Sequence, residues 1–359
     1  MERSIKTLVV TGGAGFIGSA LVRLLIHESN CRIVNLDKLT YAGNLESLGE
    51  SIRTDPRHIH VHGDITDAAL VRRMLDEYQP EGIIHLAAES HVDRSIDTPS
   101  AFVHTNVLGT FTLLHEARRY YELRERDGLP FRFLHVSTDE VFGSLESSTD
   151  KFTPETPYDP RSPYSATKAA SDHLVRAWGH TYGLPVVLTN CSNNYGPYQF
   201  PEKLIPLVIQ QALAGKPLPV YGTGTNVRDW LYVEDHARAI RTAFERGVNG
   251  STYLVGGNAE RTNLEVVRTL CDLLDDRLGR AGASSTHELI TYVKDRPGHD
   301  FRYAIDASGT RDALEWTPRE TFETGIARTV DWYLSNRAWT ERVTSGAYRM
   351  ERLGLGGAA

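Results

Sequence analysis

Cysteine is scarce: three residues in 359, Cys31, Cys191 and Cys271, with no metal-like or disulfide-like spacing between them. That excludes a zinc module or a disulfide-stapled scaffold and predicts reduced, buried thiols in a cytoplasmic protein. The 14 histidines are scattered, without a His-x-x-x-His pair in a convincing helix, so no metal site is expected. No apolar run reaches the roughly 18 residues that a membrane span needs. A basic block is missing too, the net charge of −7 being spread along the chain, which argues against nucleic acid as a partner. Met1-Glu2-Arg3-Ser4 leads straight into a strand-like run and leaves no room for a signal peptide. There is no internal repeat and no clear linker.

What is present suits a globular chain of one large or two moderate domains, 40% hydrophobic and 24% charged. Thr7 to Thr11 is a short β-branched run of the kind found in buried parallel strands. Gly12-Gly13-Ala14-Gly15-Phe16-Ile17-Gly18 follows at once and opens into a helical pattern. Glycines between strand and helix permit a tight turn and close approach to a pyrophosphate seated on the helix N-terminus. A second strand ends at Asp37, about 20 residues past the glycines, where an acid accepts from ribose hydroxyls and repels a 2′-phosphate. NAD is therefore expected rather than NADP, although Lys38 follows directly. Strands over 59–65, 82–88 and 131–136 alternate with helices over 67–78 and 106–119, which predicts a doubly wound parallel sheet. The helices at 100–125 and 163–182 could pack on that sheet and offer outer faces for a dimer contact.

The segment from Phe133 to Lys168 carries the densest chemistry. An apolar strand breaks at Ser137-Thr138-Asp139-Glu140, where an open parallel sheet keeps its ligand. Tyr164 and Lys168, at i and i+4 in a helix, share a face, and a Lys beside a Tyr favours the phenolate as a base near neutral pH. Beyond residue 190 the texture changes to turn-rich sequence at 193–197, helices over 203–214, 263–278 and 321–336, and strand-like runs at 218–222, 228–233, 251–255 and 303–306. This half reads as a smaller mixed domain. The tail Gly354 to Ala359 is expected to be disordered.

With the glycine loop, Asp37, a Thr at a strand end and Tyr-x-x-x-Lys in this order, the chain resembles the extended short-chain dehydrogenase/reductase family from Thr7 to about residue 335. Within it the resemblance is to the nucleotide-sugar 4,6-dehydratases, with dTDP-glucose as the implied substrate. The motifs are Leu36 to Asn44, His85 to Ser95, Ser137 to Gly143, Ser192 to Pro197 and Asp295 to Asp300. The tandem Asp139-Glu140 after Thr138 is the specific signal, because related epimerases and decarboxylases lack that pair. Phe142, where Tyr is common, and a polar segment from Tyr120 to Pro130 are small departures.

The resemblance implies a Rossmann-type domain at 1–190, with parts of 228–258 and 317–336. A nucleotide-sugar domain at 191–227 and 259–316 and an extension at 337–359 complete the chain. It implies Thr138, Asp139, Glu140, Tyr164 and Lys168 as catalytic residues. Tyr164 would take the C4 hydroxyl proton, Glu140 the C5 proton, Asp139 would protonate the departing C6 hydroxyl, and Thr138 would steer the sugar. NAD would be lined by Gly12, Gly15, Phe16, Ile17, Gly18, Asp37, Lys38, Leu39, Thr40, Asp64, Ile65, Leu86, Ala87, Ala88, Ser90, Thr105 and Asn194, with Tyr164 and Lys168. The sugar nucleotide would be held by Ser90, Thr138, Asn193, Lys203, Leu204, Pro219, Tyr221, Arg228, Asn263, Arg296 and His299. Arg228 and Arg296 have a physical reason, since a fork of donors suits a diphosphate. A homodimer is implied as well. A 4-epimerase, a decarboxylase or a dehydratase of a UDP or CDP sugar on the same scaffold are the alternatives.

Overall fold

The computed structural model describes residues 7–295 and 298–344. Its strands in chain order are β1 (Thr7–Thr11), β2 (Arg32–Asp37), β3 (His58–His62), β4 (Gly82–His85), β5 (Arg132–Thr138) and β6 (Val186–Cys191). They continue with β7 (Asn193–Tyr195), β8 (Leu218–Tyr221), β9 (Val227–Tyr232), β10 (Thr252–Val255), β11 (Glu260–Thr262) and β12 (Ile290–Val293). Seven of these form one sheet, in the order β10-β6-β5-β4-β1-β2-β3. Every pairing in it is parallel, with Val9 opposite both Val34 and Ile83, and Thr138 opposite Cys191. The central strands are buried on both faces, which is why they read as unbroken apolar runs rather than as alternation.

Successive side chains divide between the two faces. Leu8, Val10, Ile33 and Leu134 pack against the helices Phe16–Glu28 and Val233–Arg246. Val9, Val34, Ile83 and Phe133 meet the helices Ala68–Tyr78, Thr110–Arg126 and Pro163–Tyr182 on the other face. Strand order reverses between β1 and β4, so the ends of β1, β2, β4 and β5 open on a shared crevice.

A second core joins Tyr195, Ile205, Trp230, Val266 and Leu270. Around it lie a three-stranded sheet, β11-β9-β7, and the two-stranded parallel pair β12-β8. The helix Phe322–Ser335, expected with the first lobe, packs Phe322, Ile326, Val330 and Tyr333 into this second core, and Trp339 joins it from the following helix. Its apolar stripe is equally compatible with either lobe, and the contact of Phe322 with Tyr195, ring centroids 5.7 Å apart, decides the matter. By contrast β10 does complete the large sheet.

Several elements differ from the pattern in the sequence. The strands at 59–65 and 82–88 stop at His62 and His85. The segment 193–195, read as a turn, is strand β7 beside β9. Residues 303–306 form no strand, being held instead by an isolated bridge between Phe152 and Ile305. The helix read over 106–119 runs to Arg126 and is preceded by a π-helical stretch, Val103–Gly109. Gly354 to Ala359 and Arg296 lie outside the described residues.

Candidate active site

The glycine loop holds its shape by close backbone packing. Gly12 has φ +73°, and a Cβ there would sit 2.8 Å from the Ala87 backbone. At Gly18 a Cβ would lie 2.0 Å from the Gly12 carbonyl oxygen, so the helix starts where a side chain has no room. No side chain caps that helix at Gly15, which leaves its first N–H groups for an anion. Asp37, at the end of β2, accepts from Ala14 N–H at 2.9 Å and Leu39 N–H at 2.8 Å. It therefore ties the loop to the strand as well as facing the crevice. Leu39 takes φ +52° to make that contact. Lys38 is engaged by Asp64 at 2.6 Å.

At the other end, β5 delivers Ser137 and Thr138 and breaks into a 3-10 turn over Asp139–Phe142. Thr138 caps that turn by accepting from Glu140 N–H at 3.2 Å. Asp139 is 1% exposed, and its Oδ2 has no hydrogen-bond partner among the described residues. Burial, then the charges of Glu140 and Asp229, push its carboxyl well above the ordinary range. A carboxyl so placed holds its proton more tightly than an ordinary one. Glu140 is half-buried beside it.

The helix Pro163–Tyr182 begins with Ser162 as N-cap, reciprocally bonded with Ser165, and with Pro163 in its first turn. That start fixes Tyr164 at the crevice. Burial, then Glu140 and Cys191, push the Tyr164 phenol well above its usual value, while the Thr138 hydroxyl works in the opposite sense, so the phenolate expected near neutral pH from the Tyr164–Lys168 spacing is disfavoured in the chain by itself. The Lys168 ammonium donates to the Val136 carbonyl at 2.9 Å and lies 3.3 Å from His135 Nε2. Burial lowers its own pKa.

A cavity of about 310 Å³ connects the two ends. Thr138, Asp139, Glu140, Tyr164 and Lys168 all line it. So do Gly12, Gly15, Phe16, Ile17, Gly18, Asp37, Lys38, Thr40, Asp64, Ile65, Leu86, Ala87, Ala88, Ser90, Thr105, Asn193, Asn194 and Lys203. The π-helical stretch places Thr105 on the wall and buries Asn106, whose amide pairs with both Glu89 backbone groups at 2.9 and 3.0 Å. Asn194 is oriented by His236, at 2.9 Å, and Lys203 donates to the Ser90 carbonyl at 3.0 Å.

The remaining expected residues lie outside this lining. Leu39 does not line the cavity, and neither do Leu204, Pro219, Tyr221, Asn263 and His299, which belong to the second lobe. His299 Nδ1 lies 2.6 Å from Asp295 Oδ1, and its ring meets Tyr221 edge-on. Arg228 donates to the carbonyls of Val227, Phe301 and Asp300 and stacks over Tyr303 at 4.2 Å.

The sequence profile of the GDP-mannose 4,6 dehydratase family matches residues 9–329. A dTDP-glucose 4,6-dehydratase of Xanthomonas campestris is 60% identical over 98% of this chain and 99% of its own. The Escherichia coli enzyme of the same name is 56% identical over 97% of this chain and 99% of its own. The chain belongs to the dTDP-glucose 4,6-dehydratase family. A family structure from Streptomyces venezuelae, with NAD and dTDP bound, superposes with a TM-score of 0.86 at 45% identity, covering 94% of this chain and 99% of that one. A Thermus thermophilus UDP-glucose 4-epimerase with NAD superposes at 0.79 and 28% identity over 92% of this chain and 99% of that one.

Sequence reasoning about this dehydratase family member missed several residues around the site. Glu202 lines the cavity and accepts from Tyr41 at 3.0 Å and Arg94 at 2.9 Å. Asp229 accepts from Gly257 N–H at 3.0 Å and Ala259 N–H at 2.6 Å behind Asp139. Asp172 was legible in principle, since it continues the Tyr164–Lys168 spacing by one more turn.

Proposed function

We propose that the protein converts dTDP-glucose to dTDP-4-keto-6-deoxyglucose and water with bound NAD. The observation that best supports this is the unequal setting of two adjacent carboxyl groups, Asp139 buried with its proton held more tightly than usual, Glu140 half-buried at its side. One acid and one base at the same pH is what elimination across C5 and C6 requires.

The residues present fit NAD. The uncapped helix start at Gly15 suits the pyrophosphate, and Asp37, pinned by two N–H groups, suits the adenosine ribose. Bound NAD supplies a hydride acceptor that returns the hydride within the same turnover. Tyr164 takes the proton of the C4 hydroxyl. Glu140 removes the C5 proton, which the adjacent ketone acidifies, and a proton returns to C5 when the hydride taken from C4 is delivered to C6. Asp139 protonates the C6 hydroxyl as it leaves as water. Thr138, fixed as the cap of the turn, hydrogen-bonds to the sugar. Asn193 and Lys203 border the same cavity from the second lobe. We assign the sugar nucleotide's remaining contacts to Ser90, Leu204, Pro219, Tyr221, Arg228, Asn263, Arg296 and His299. For Arg228 to grip a diphosphate it must exchange some of the carbonyls it now holds.

We also propose a homodimer. Val103, Leu108 and Phe111 are 53, 44 and 40% exposed on one face of the helical segment before Arg126, with Leu174 of the Tyr164 helix beside them. Contiguous exposed apolar side chains on helices favour an interface. Light scattering should give twice the 40.1 kDa chain mass, and Phe111→Glu should return the monomer. A cytoplasmic location is proposed as well, on the scarcity and burial of the three cysteines.

Incubation with dTDP-glucose, without added NAD, tests the reaction. Loss of one water with an alkali-sensitive 4-keto chromophore is the expected product. Product from UDP- or CDP-glucose in its place moves the substrate. An epimerised sugar that keeps its C6 hydroxyl overturns the dehydratase reading.

A further inference from the structure

Behind Lys168 the strand–helix interface holds charge that the proposed steps leave unused. Tyr164, Lys168 and Asp172 stand at i, i+4 and i+8 on the helix Pro163–Tyr182, all buried. Asp172 is 0% exposed. Its Oδ2 accepts from the Ser137 hydroxyl at 2.9 Å, the Tyr158 hydroxyl at 2.9 Å and Asn190 Nδ2 at 3.2 Å. Its Oδ1 lies 3.2 Å from His135 Nε2, and the same nitrogen lies 3.3 Å from the Lys168 ammonium. One imidazole is thus inserted between the active-site lysine and a buried carboxylate.

An ammonium in so dry a place sheds its proton unless a counter-charge holds it. Asp172 meets that need. Burial alone raises a carboxyl, yet the His135 contact, the Lys168 charge and the Ser137 hydroxyl bring it below its usual value, so it stays ionised. His135 is pushed down to about 4 by burial and then by Lys168, so it stays neutral at pH 7. The other titratable groups around the cluster are few. His85 on β4, ring centroid 5.1 Å from His135, sits between the Thr11 and Thr110 hydroxyls and is also kept neutral by burial. Cys191 on β6 is buried and pushed up. Asp139 and Glu140 lie past the end of β5, and Arg176 is one turn beyond Asp172, donating to Tyr158.

We propose that Asp172 and His135 are positioning residues for the reaction, which fix the place and charge of Lys168 and through it the ionisation of Tyr164. This rests on the dehydratase reading. The pair does not touch substrate. It acts by keeping a positive charge behind the tyrosine that must give up and regain a proton in each turnover.

The test is the pH profile of kcat/KM for dTDP-glucose in the wild type, Asp172→Asn, Asp172→Glu and His135→Phe. Removing the carboxylate weakens the positive charge at Lys168, raises the pKa of Tyr164 and moves the acid limb to higher pH. A shift of about one unit, hence a roughly tenfold fall at neutral pH, is expected for Asp172→Asn. Asp172→Glu should restore part of it, and His135→Phe should shift the limb the same way by less. An Asp172→Asn enzyme that retains NAD and keeps the wild-type profile overturns the proposal, whatever its Tm. Should that variant fail to fold, a wild-type profile in His135→Phe does so. Loss of folding in all three variants also overturns it, since the role would then be structural. If the wild type turns over no nucleotide sugar, it is the dehydratase reading that fails.

Discussion

At the glycine-loop end of the cavity the contacts are made by backbone, with Gly12 and Gly18 packed where a Cβ would strike main chain at 2.8 and 2.0 Å. At the β5 end they are made by ionisable side chains removed from water, with the Asp139 carboxyl shifted up, that of Asp172 shifted down and Lys168 between strand and helix. The first end tolerates charge changes better than volume, and the second tolerates volume changes better than charge. A close-packed turn fails when an atom is added, whereas a buried acid stays in place when made isosteric and loses its proton chemistry. The same burial that raises the Asp139 carboxyl costs stability, because its Oδ2 has no partner among the described residues.

The largest effect should come from the β5 end. Asp139→Asn preserves shape and removes the proton donor, so dehydration should fall by roughly 10²- to 10⁴-fold. Hydride transfer from C4 should persist, read as reduced NAD accumulating at 340 nm. Equal loss of both steps would erase the contrast between a charge-sensitive and a shape-sensitive end. Next comes Gly18→Ala, which adds one methyl against the Gly12 carbonyl. About 1–3 kcal/mol of destabilisation and purification without NAD are expected. Full NAD content in that variant would show that the turn can give way. The smallest effect has the opposite sign. The raised carboxyl of Asp139 means the native state keeps a proton that the unfolded chain has already lost. Its contribution is complete at acid pH and fades as pH rises toward the folded value. Asp139→Asn should therefore raise Tm by a few degrees at pH 8 to 9, and by little near pH 4, in a calorimetric comparison with the wild type.

The glycine-loop end was the more legible. Its signal is contiguous, a strand, a glycine turn and an acid after the next strand, and each part carries a local backbone reason. The grouping of the residues proposed as catalytic was legible for the same cause, with Tyr164 and Lys168 on one helical face and Asp139-Glu140 at a strand end. The second lobe was harder. Asn193 to Tyr195 looks like a turn, because strand β7 is three residues long and exists through its partner β9. Tyr303 to Ile305 looks like a strand, yet its edge finds one bridge rather than a ladder. Arg228 suggests a free fork, while the fold engages it with carbonyls of its own strand and of the Asp300 loop. The π-helical stretch at Val103–Gly109 has no periodicity that sets it apart from an α-helix.

The amino-acid sequence by itself determined the doubly wound sheet, the glycine turn and the order of chemical groups along the chain, because strand burial and helical spacing are local properties. The tertiary structure decided which helix joins which core, and which carboxyl holds its proton more tightly. It also decided what stands behind Lys168. Asp139 and Asp172 are the same residue type, and their opposite shifts follow from what surrounds each: two further carboxylates near Asp139, three donors and a lysine near Asp172. Those neighbours come from β5, β6, β9 and the loop at Tyr158, up to 90 residues apart (139 to 229), and pass through no local pattern.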